Sequence, residues 1–348
     1  MVEGGIRPDV AVVIAAYRRR TFLAGAIDSV LAQSIRRDRM EILVLADFDD
    51  TEIRSRCGRE GIALRRDPEP VIGRWLLGAV DATRAPIVAL LEDDDRFAPD
   101  HLARALERFQ SHPDTALYRN RVTVVNEQGD PVPRSRWEPL ERDRGLDRGA
   151  IEVPAASKDE GIGRLRRSGV EWLNVGTMVF RRDVLTADIR PRIAESICPD
   201  LCVFVAAGVA PGSMYFDDAR TTLYRHYAGS ASRRPGWKRR HYEDHERFAR
   251  FVSARGPPAL ARWLEERTRV LRHVAEAADL LDPIREGVAA SRLRGPLRSY
   301  LRRRMSEGLF DPPATVRWGA GAVATAYCLA PGISRRLLLG LDRRLDLP

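Results

Sequence analysis

The sequence predicts an α/β protein with a mostly parallel central sheet and a helical C-terminal region. Three observations predict it: an unbroken β-branched run at residues 10–16, two further apolar runs at 42–46 and 87–91 with helical spacing between them, and acids that begin where these two runs stop. A strand buried on both faces of a parallel sheet reads as a continuous apolar run rather than an alternating one.

The run VAVVIAA is the first strand. A helix over about residues 21–33 follows, with Phe22, Leu23, Ala26, Ile27, Val30 and Leu31 at helical spacing and Thr21 as its expected N-cap. The second strand, 42–46, ends in Asp47, Asp49 and Asp50, completing a βαβ unit whose crossover should be right-handed. A short strand near 62–64 and a helix near 73–83 lead to the strand at 87–91, which stops at Glu92, Asp93, Asp94 and Asp95. In open α/β sheets the carboxyl ends of the strands border the ligand crevice, so both acidic groups are expected at one site.

A helix at 99–109, a strand at 122–125 and a turn at Gly129-Asp130-Pro131 come next. Residues 134–167, rich in charge, Pro and Gly, predict a long mobile loop of the kind that often covers an active site. Order resumes at 171–180, then in an acid-led apolar segment at 200–207 and a strand at 221–227. Beyond Ser232 the pattern is helical, most clearly over 258–281, where Leu260, Trp263, Leu264, Leu271, Val274, Ala278 and Leu281 share a face.

The chain is 348 residues long with a formal charge of +9, and all of its 58 basic residues except Lys158 and Lys238 are arginine. The arginines are spread along the chain, which favours a solvated basic surface over a dedicated polyanion groove. Cys57, Cys198, Cys202 and Cys328 form no CxxC pair and no zinc spacing, as expected of reduced thiols in a cytoplasmic protein. Glu3 and Asp9 precede the first apolar run with no basic leader, so no signal peptide is expected. The apolar stretch 318–333, about 16 residues with Gly319, Gly321, Pro331 and Gly332, falls short of the ~20 that span a bilayer and predicts a buried or surface-lying helix.

Asp93, Asp94 and Asp95 put adjacent negative charges on one loop, and their repulsion calls for a cation. Magnesium or manganese fits, being held by one or two carboxylates plus phosphate oxygens and water. A solvated turn with a helix N-cap is the plainer use of the same acids.

The order of motifs resembles the family 2 glycosyltransferases of GT-A fold over about residues 9–232. VAVVIAAYRRRTFLAGAIDSVLAQSI is similar to their first strand and helix, MEILVLADFDDTE to the second-strand segment, and LLEDDDRFAPDHL to the metal-binding DxD segment; NVGTMVFRRDVL and LYRHYAGSAS resemble two later blocks. The resemblance implies an inverting transfer of a sugar from a nucleotide diphosphate donor, UDP or another, to an acceptor hydroxyl. It implies that Ala15, Ala16 and Tyr17 border the base, that Asp47 accepts a hydrogen bond from it, that Asp93 sits by the ribose and diphosphate, and that Asp94 ligates the metal. Arg74 falls near an arginine that faces the donor. Ala46 and Phe48 depart from the family pattern of a first acid and a small residue, which leaves the base open.

An attacking hydroxyl needs a base opposite the diphosphate. The resemblance assigns this to Asp200, with Glu195 as second choice and a helix cap as the structural alternative. It makes His226 a candidate metal ligand, with a structural histidine as the plainer reading and phosphate neutralisation by the neighbouring Arg225 as the alternative. Trp172 and Asn174 are expected to line the acceptor pocket, with the core as the other place for Trp172. The implied division is a catalytic domain over 1–235, comprising a nucleotide-sugar half (1–115) and an acceptor half (116–235), and a helical extension over 236–348. That extension is expected to pack as short helices divided by Pro296, Pro312 and Pro313; peripheral contact of its arginines with anionic lipid, suited to a lipid-linked acceptor, is the alternative. Sugar and small-molecule acceptors fit equally, in polysaccharide, glycolipid or natural-product synthesis.

A nucleic-acid-binding module, a nucleotidyltransferase and a metal-dependent phosphatase are the rival functions. A nucleic-acid-binding module does not explain acids at successive strand ends, so no nucleic-acid partner is expected. A nucleotidyltransferase would carry a Gly-rich basic loop after its first strand, where this chain has Tyr17-Arg18-Arg19-Arg20 without glycine.

Overall fold

The computed structural model describes residues 7–17, 19–69, 71–133, 144–170, 174–227, 236–306 (backbone alone from 302), 324, 325 and 328. The chain forms two compact units, Met1–Arg225 with Phe251–Ala261, and His226–Arg250 with Arg262–Pro348.

The first unit opens with β1 (Val10–Ala16), α1 (Leu23–Leu31), β2 (Met40–Ala46), α2 (Thr51–Arg59), β3 (Ala63–Arg66), α3 (Ile72–Asp81) and β4 (Ile87–Glu92). β1 runs parallel between β2 and β4, with Ala16 opposite Ala46 and Ala15 opposite Glu92. Val10 through Ile14 are fully buried, which explains the unbroken apolar run. On one face Ile14 packs in a cluster with Leu23, Ile27 and Val30 of α1 and with Leu102, Leu106 and Phe109 of α4 (His101–Ser111). Each such side chain contributes about 1.5–3 kcal/mol on burial.

The sheet continues through β5 (Arg96–Phe97), β6 (Thr115–Val125), β7 (Ile151–Val153), β8 (Met178–Arg181) and β9 (Ser213–Arg225). Strand order is β3, β2, β1, β4, β8, β6, β9, β5, with β7 paired to β9. β8 enters antiparallel between β4 and β6, and β6 and β9 are parallel with register shifts. α5 (Lys158–Arg167) and α6 (Pro199–Val209) complete the unit, the latter buried over most of its length.

Several expectations are corrected. Thr21 does not cap α1, whose N-cap position is Phe22 with no side-chain bond. The strand expected at 122–125 begins at Thr115, hidden in the sequence by Arg119, Asn120 and Arg121, all buried. The loop expected over 134–167 has ordered structure from Arg144 onward, in β7 and α5, because Leu146, Val153, Ile162 and Leu165 are buried; residues 134–143 lie outside the described part.

In the second unit, residues of α7 (Trp237–Arg255), α8 (Pro258–Arg285) and α9 (Ala290–Ser306) are helical, and Leu280, Ile284, Leu293, Leu297, Tyr300 and Ala324 form a core. Pro296 does not divide this region: it lies inside α9. Leu293, Leu297 and Tyr300 are buried around it, and their burial offsets the hydrogen bond that proline removes. Pro312, Pro313 and nearly all of 318–333 fall outside the described residues. Among the described residues no helix is long and apolar enough to cross a membrane.

Candidate active site at the strand ends

The parallel register brings the acids together. β1 ends between the ends of β2 and β4, Asp47 N–H donates to Ala16 O (3.2 Å), and Asp93 N–H donates to Ala15 O (2.9 Å). Ala15, Ala16 and Tyr17 therefore form a ridge with Asp47 on one side and Asp93 on the other. The acids that follow β2 divide their work. Asp50 caps α2, accepting from Glu52 N–H and Ile53 N–H at 3.0 Å, while Asp47 stays half-buried beside the ridge.

Asp93 is fully buried and Asp94 nearly so. Arg19, in the loop after β1, spans both: Nη2 donates to Asp93 Oδ1 at 2.6 Å and Nη1 to Asp94 Oδ2. The Tyr17 backbone N–H also bonds the Asp93 carboxylate, yet burial pushes this carboxyl up to about 7 against the pull of Arg19. Asp93 Oδ2 is buried with no hydrogen-bond partner among the described residues. Asp95 is raised to about 8 by burial and by the charge of Asp94. Its oxygens accept from Asn174 Nδ2 (2.5 Å) and Arg225 N–H (2.8 Å). Glu92 is raised well above its ordinary value by burial, then by Asp94 and Asp95, with Asp200 adding to the same effect.

Asp200 lies in the first turn of α6, half-buried, and accepts from Leu201 N–H at 2.9 Å. Its charge is felt at Glu92 and at Tyr224, whose hydroxyl is raised by burial and by Asp95, Glu92, Asp94 and Asp200 in turn. The candidate base thus faces the same acid cluster electrostatically. Glu195 is exposed, before α6 begins.

The other expected residues are placed unevenly. Asn174 reaches the cluster through Asp95, and its Oδ1 also accepts from Gly176 N–H at 2.7 Å. Arg74 is exposed in the first turn of α3, with Glu69 3.9 Å away. His226 is the first residue of the second unit, and Trp172 lies outside the described residues. Arg225 is turned to backbone carbonyls and a ring. Its Nε donates to Asp94 O (2.9 Å), its Nη1 to Asn126 O (3.1 Å) and Glu127 O, and its guanidinium lies over the Phe22 ring at 4.4 Å. Sequence reasoning missed Arg19 and Asp95 as individual actors. The only signal was three successive arginines after β1 and a third aspartate after β4.

The residues fit a divalent cation: Asp93 Oδ2 is an orphaned buried acceptor, and Asp94 stands next to it with a carboxylate already turned to a positive charge. Among the described residues no three His, Cys, Asp or Glu side chains form a ready cage. One or two carboxylates suffice where phosphate and water complete the shell.

The strand order and the strand-end acids are those of a GT-A fold, and the comparisons agree on that fold. Residues 11–167, a little under half of the chain, match the model of glycosyl transferase family 2. TarS 1-349 of S. aureus has a similar structure, at 14% identity over 92% of this chain and 90% of that one, with a TM-score of 0.54. Its complex with UDP matches at 14% identity, 97% and 91% coverage and a TM-score of 0.51. The mannosyltransferase PcManGT of Pyrobaculum calidifontis, in complex with GDP-Man and Mn2+, matches at 15% identity, 93% and 88% coverage and a TM-score of 0.52. This chain spans 54% of a longer TarS chain. At these identities the likeness is one of fold. No curated protein matches the chain in sequence.

Proposed function

We propose that the chain is an inverting, metal-dependent glycosyltransferase that moves a sugar from a nucleotide diphosphate to an acceptor hydroxyl. The observation that carries this is the juxtaposition of Asp47 and Asp93 across the end of β1, with a buried, unpartnered carboxylate oxygen on Asp93. Neighbours of the same fold in complex with UDP, or with GDP-Man and Mn2+, support a nucleotide-sugar donor and a divalent ion.

In this reading Ala15, Ala16, Tyr17 and Asp47 border the base and Asp93 the ribose and diphosphate, with Arg74 at the donor side. Asp94 holds magnesium or manganese. The ion, when bound, offsets the charge that develops on the departing diphosphate. Asp200 takes the proton of the acceptor hydroxyl as its oxygen bonds the anomeric carbon and the bond to the diphosphate breaks. Trp172 and Asn174 belong to the acceptor side. Free cysteines among the described residues suit a cytoplasmic protein, and the basic C-terminal helices supply peripheral contact with the inner membrane face if the acceptor is lipid-linked.

Asp200→Asn should abolish transfer while donor binding, read by thermal shift with nucleotide sugars and Mn2+, survives. Loss of both together would show a structural acid and sink the base assignment. A nucleotide-sugar panel that gives no shift with or without Mn2+ would sink the donor site itself.

A further inference from the structure

Arg19 links the acid assigned to the donor's ribose and diphosphate, Asp93, with the acid assigned to its metal, Asp94. Its guanidinium bridges Asp93 Oδ1 (2.6 Å) and Asp94 Oδ2, with its side chain 20% exposed and that of Asp93 fully buried. Two adjacent buried carboxylates cannot both stay charged without a nearby cation. Arg19 is that cation in the donor-free protein. A divalent ion that takes Asp94 Oδ2 must first displace the charge-assisted hydrogen bond from Arg19, a bond about twice as strong as a neutral one.

We propose that Arg19 is a resident cation of the donor site, exchanged for the divalent metal only when the nucleotide diphosphate arrives. This rests on the metal-dependent reading above. The donor tips the exchange from both sides, since its phosphate oxygens complete the metal shell and also offer an anionic partner to the released guanidinium. Metal and nucleotide diphosphate therefore bind with positive coupling, and by linkage each tightens the other by the same factor. The neighbouring Arg20 fixes the loop while Arg19 moves: its Nη2 donates to Asp49 O at 3.1 Å and its guanidinium lies 5.1 Å from the centre of the Phe48 ring.

The test is Mn2+ binding to the full chain, followed by the electron paramagnetic resonance of free Mn2+, with and without UDP or GDP. Arg19→Gln should bind Mn2+ alone on the order of tenfold tighter than the unaltered protein, a change of about 1.4 kcal/mol. The nucleotide should then enhance its Mn2+ affinity less. Arg19→Lys keeps a charge beside the buried acids but loses the fork, and should fall between the two; it carries the test if the Gln variant does not fold. Equal Mn2+ affinities in all three proteins, with Asp94→Asn abolishing binding, overturn the role of Arg19 and leave the metal site standing. Absence of Mn2+ binding in all of them even with nucleotide overturns both.

Discussion

Asn174 has a φ of 56°, and it alone among the described non-glycine residues is left-handed. The strain is maintained by its side chain, which holds Gly176 N–H with Oδ1 and the buried Asp95 with Nδ2. Asn174→Ala should therefore destabilise the protein by about 2 kcal/mol, because a buried carboxylate loses a donor, and lower transfer more than the loss of stability explains. Urea unfolding and initial rates check this; a rate unchanged at full folding would detach Asn174 from the site.

His101 gives a residue-scale pH signature. It is fully buried, stacked on Phe97 at 3.8 Å, with Nδ1 3.2 Å from Thr221 Oγ1, and burial lowers its imidazole to about 3. Between about 6.5 and 3 the unfolded chain binds a proton that the folded chain refuses. The sign follows: stability from this group is complete above about 6.5 and is lost as pH falls through that window. The excess melting temperature of the unaltered protein over His101→Gln should shrink from pH 7.5 to 4.5, and parallel profiles would refute the assignment.

At the scale of elements, α3 and the segment before α6 approach at backbone distance. Gly73 N–H donates to Ser196 O at 2.8 Å, and a Cβ on Gly73 would lie 1.6 Å from Ile193 O. Gly73→Ala must push α3 from the chain that leads into Asp200, at about 3 kcal/mol. Gly58, in α2, faces open space, so Gly58→Ala should stabilise by about 0.5–1 kcal/mol. Differential scanning calorimetry of the two variants separates close packing from helix propensity, and equal shifts would contradict the close approach. The elements that build the site were legible for a physical reason: the stretches 10–16, 42–46 and 87–91 of β1, β2 and β4 are almost wholly buried and therefore apolar, and acids follow directly after the last two. β6 was half hidden because its interior carries charge, Arg121 pairing with Asp147 at 2.8 Å and Asn120 with Thr222 at 3.0 Å. α5 was hidden because only a short face, Ile162 and Leu165, is buried. Its main anchorage is polar and distant in sequence, Lys158 Nζ donating to Ala207 O (2.8 Å) and Ala210 O at the end of α6. Arg19 could not be singled out from its neighbours Arg18 and Arg20, since the pairing that distinguishes it is made with acids some 75 residues away.

For the whole molecule, the first compact unit is not one continuous piece of chain. Phe251–Ala261 belongs to the first unit although a strand-by-strand reading ends that unit near residue 235. Leu260 is fully buried and its Cδ2 fills the space 2.7 Å from where a Cβ on Gly208 of α6 would stand. Ala259 N–H donates to Asp159 Oδ1 at 2.5 Å, and Arg255 pairs with Asp188 at 3.3 Å. α6 carries Asp200 at its other end, so the returning segment and Lys158 together hold the helix that presents the candidate base. Two truncations test this. A chain ended after residue 235 loses the burial of Leu260, about 2 kcal/mol, and should melt at least about 4 °C below one ended after residue 261, with Asp200-dependent transfer reduced further than stability alone accounts for. Equal melting of the two would mean that α6 is held without the returning segment, and the base would then be positioned by the first 235 residues alone.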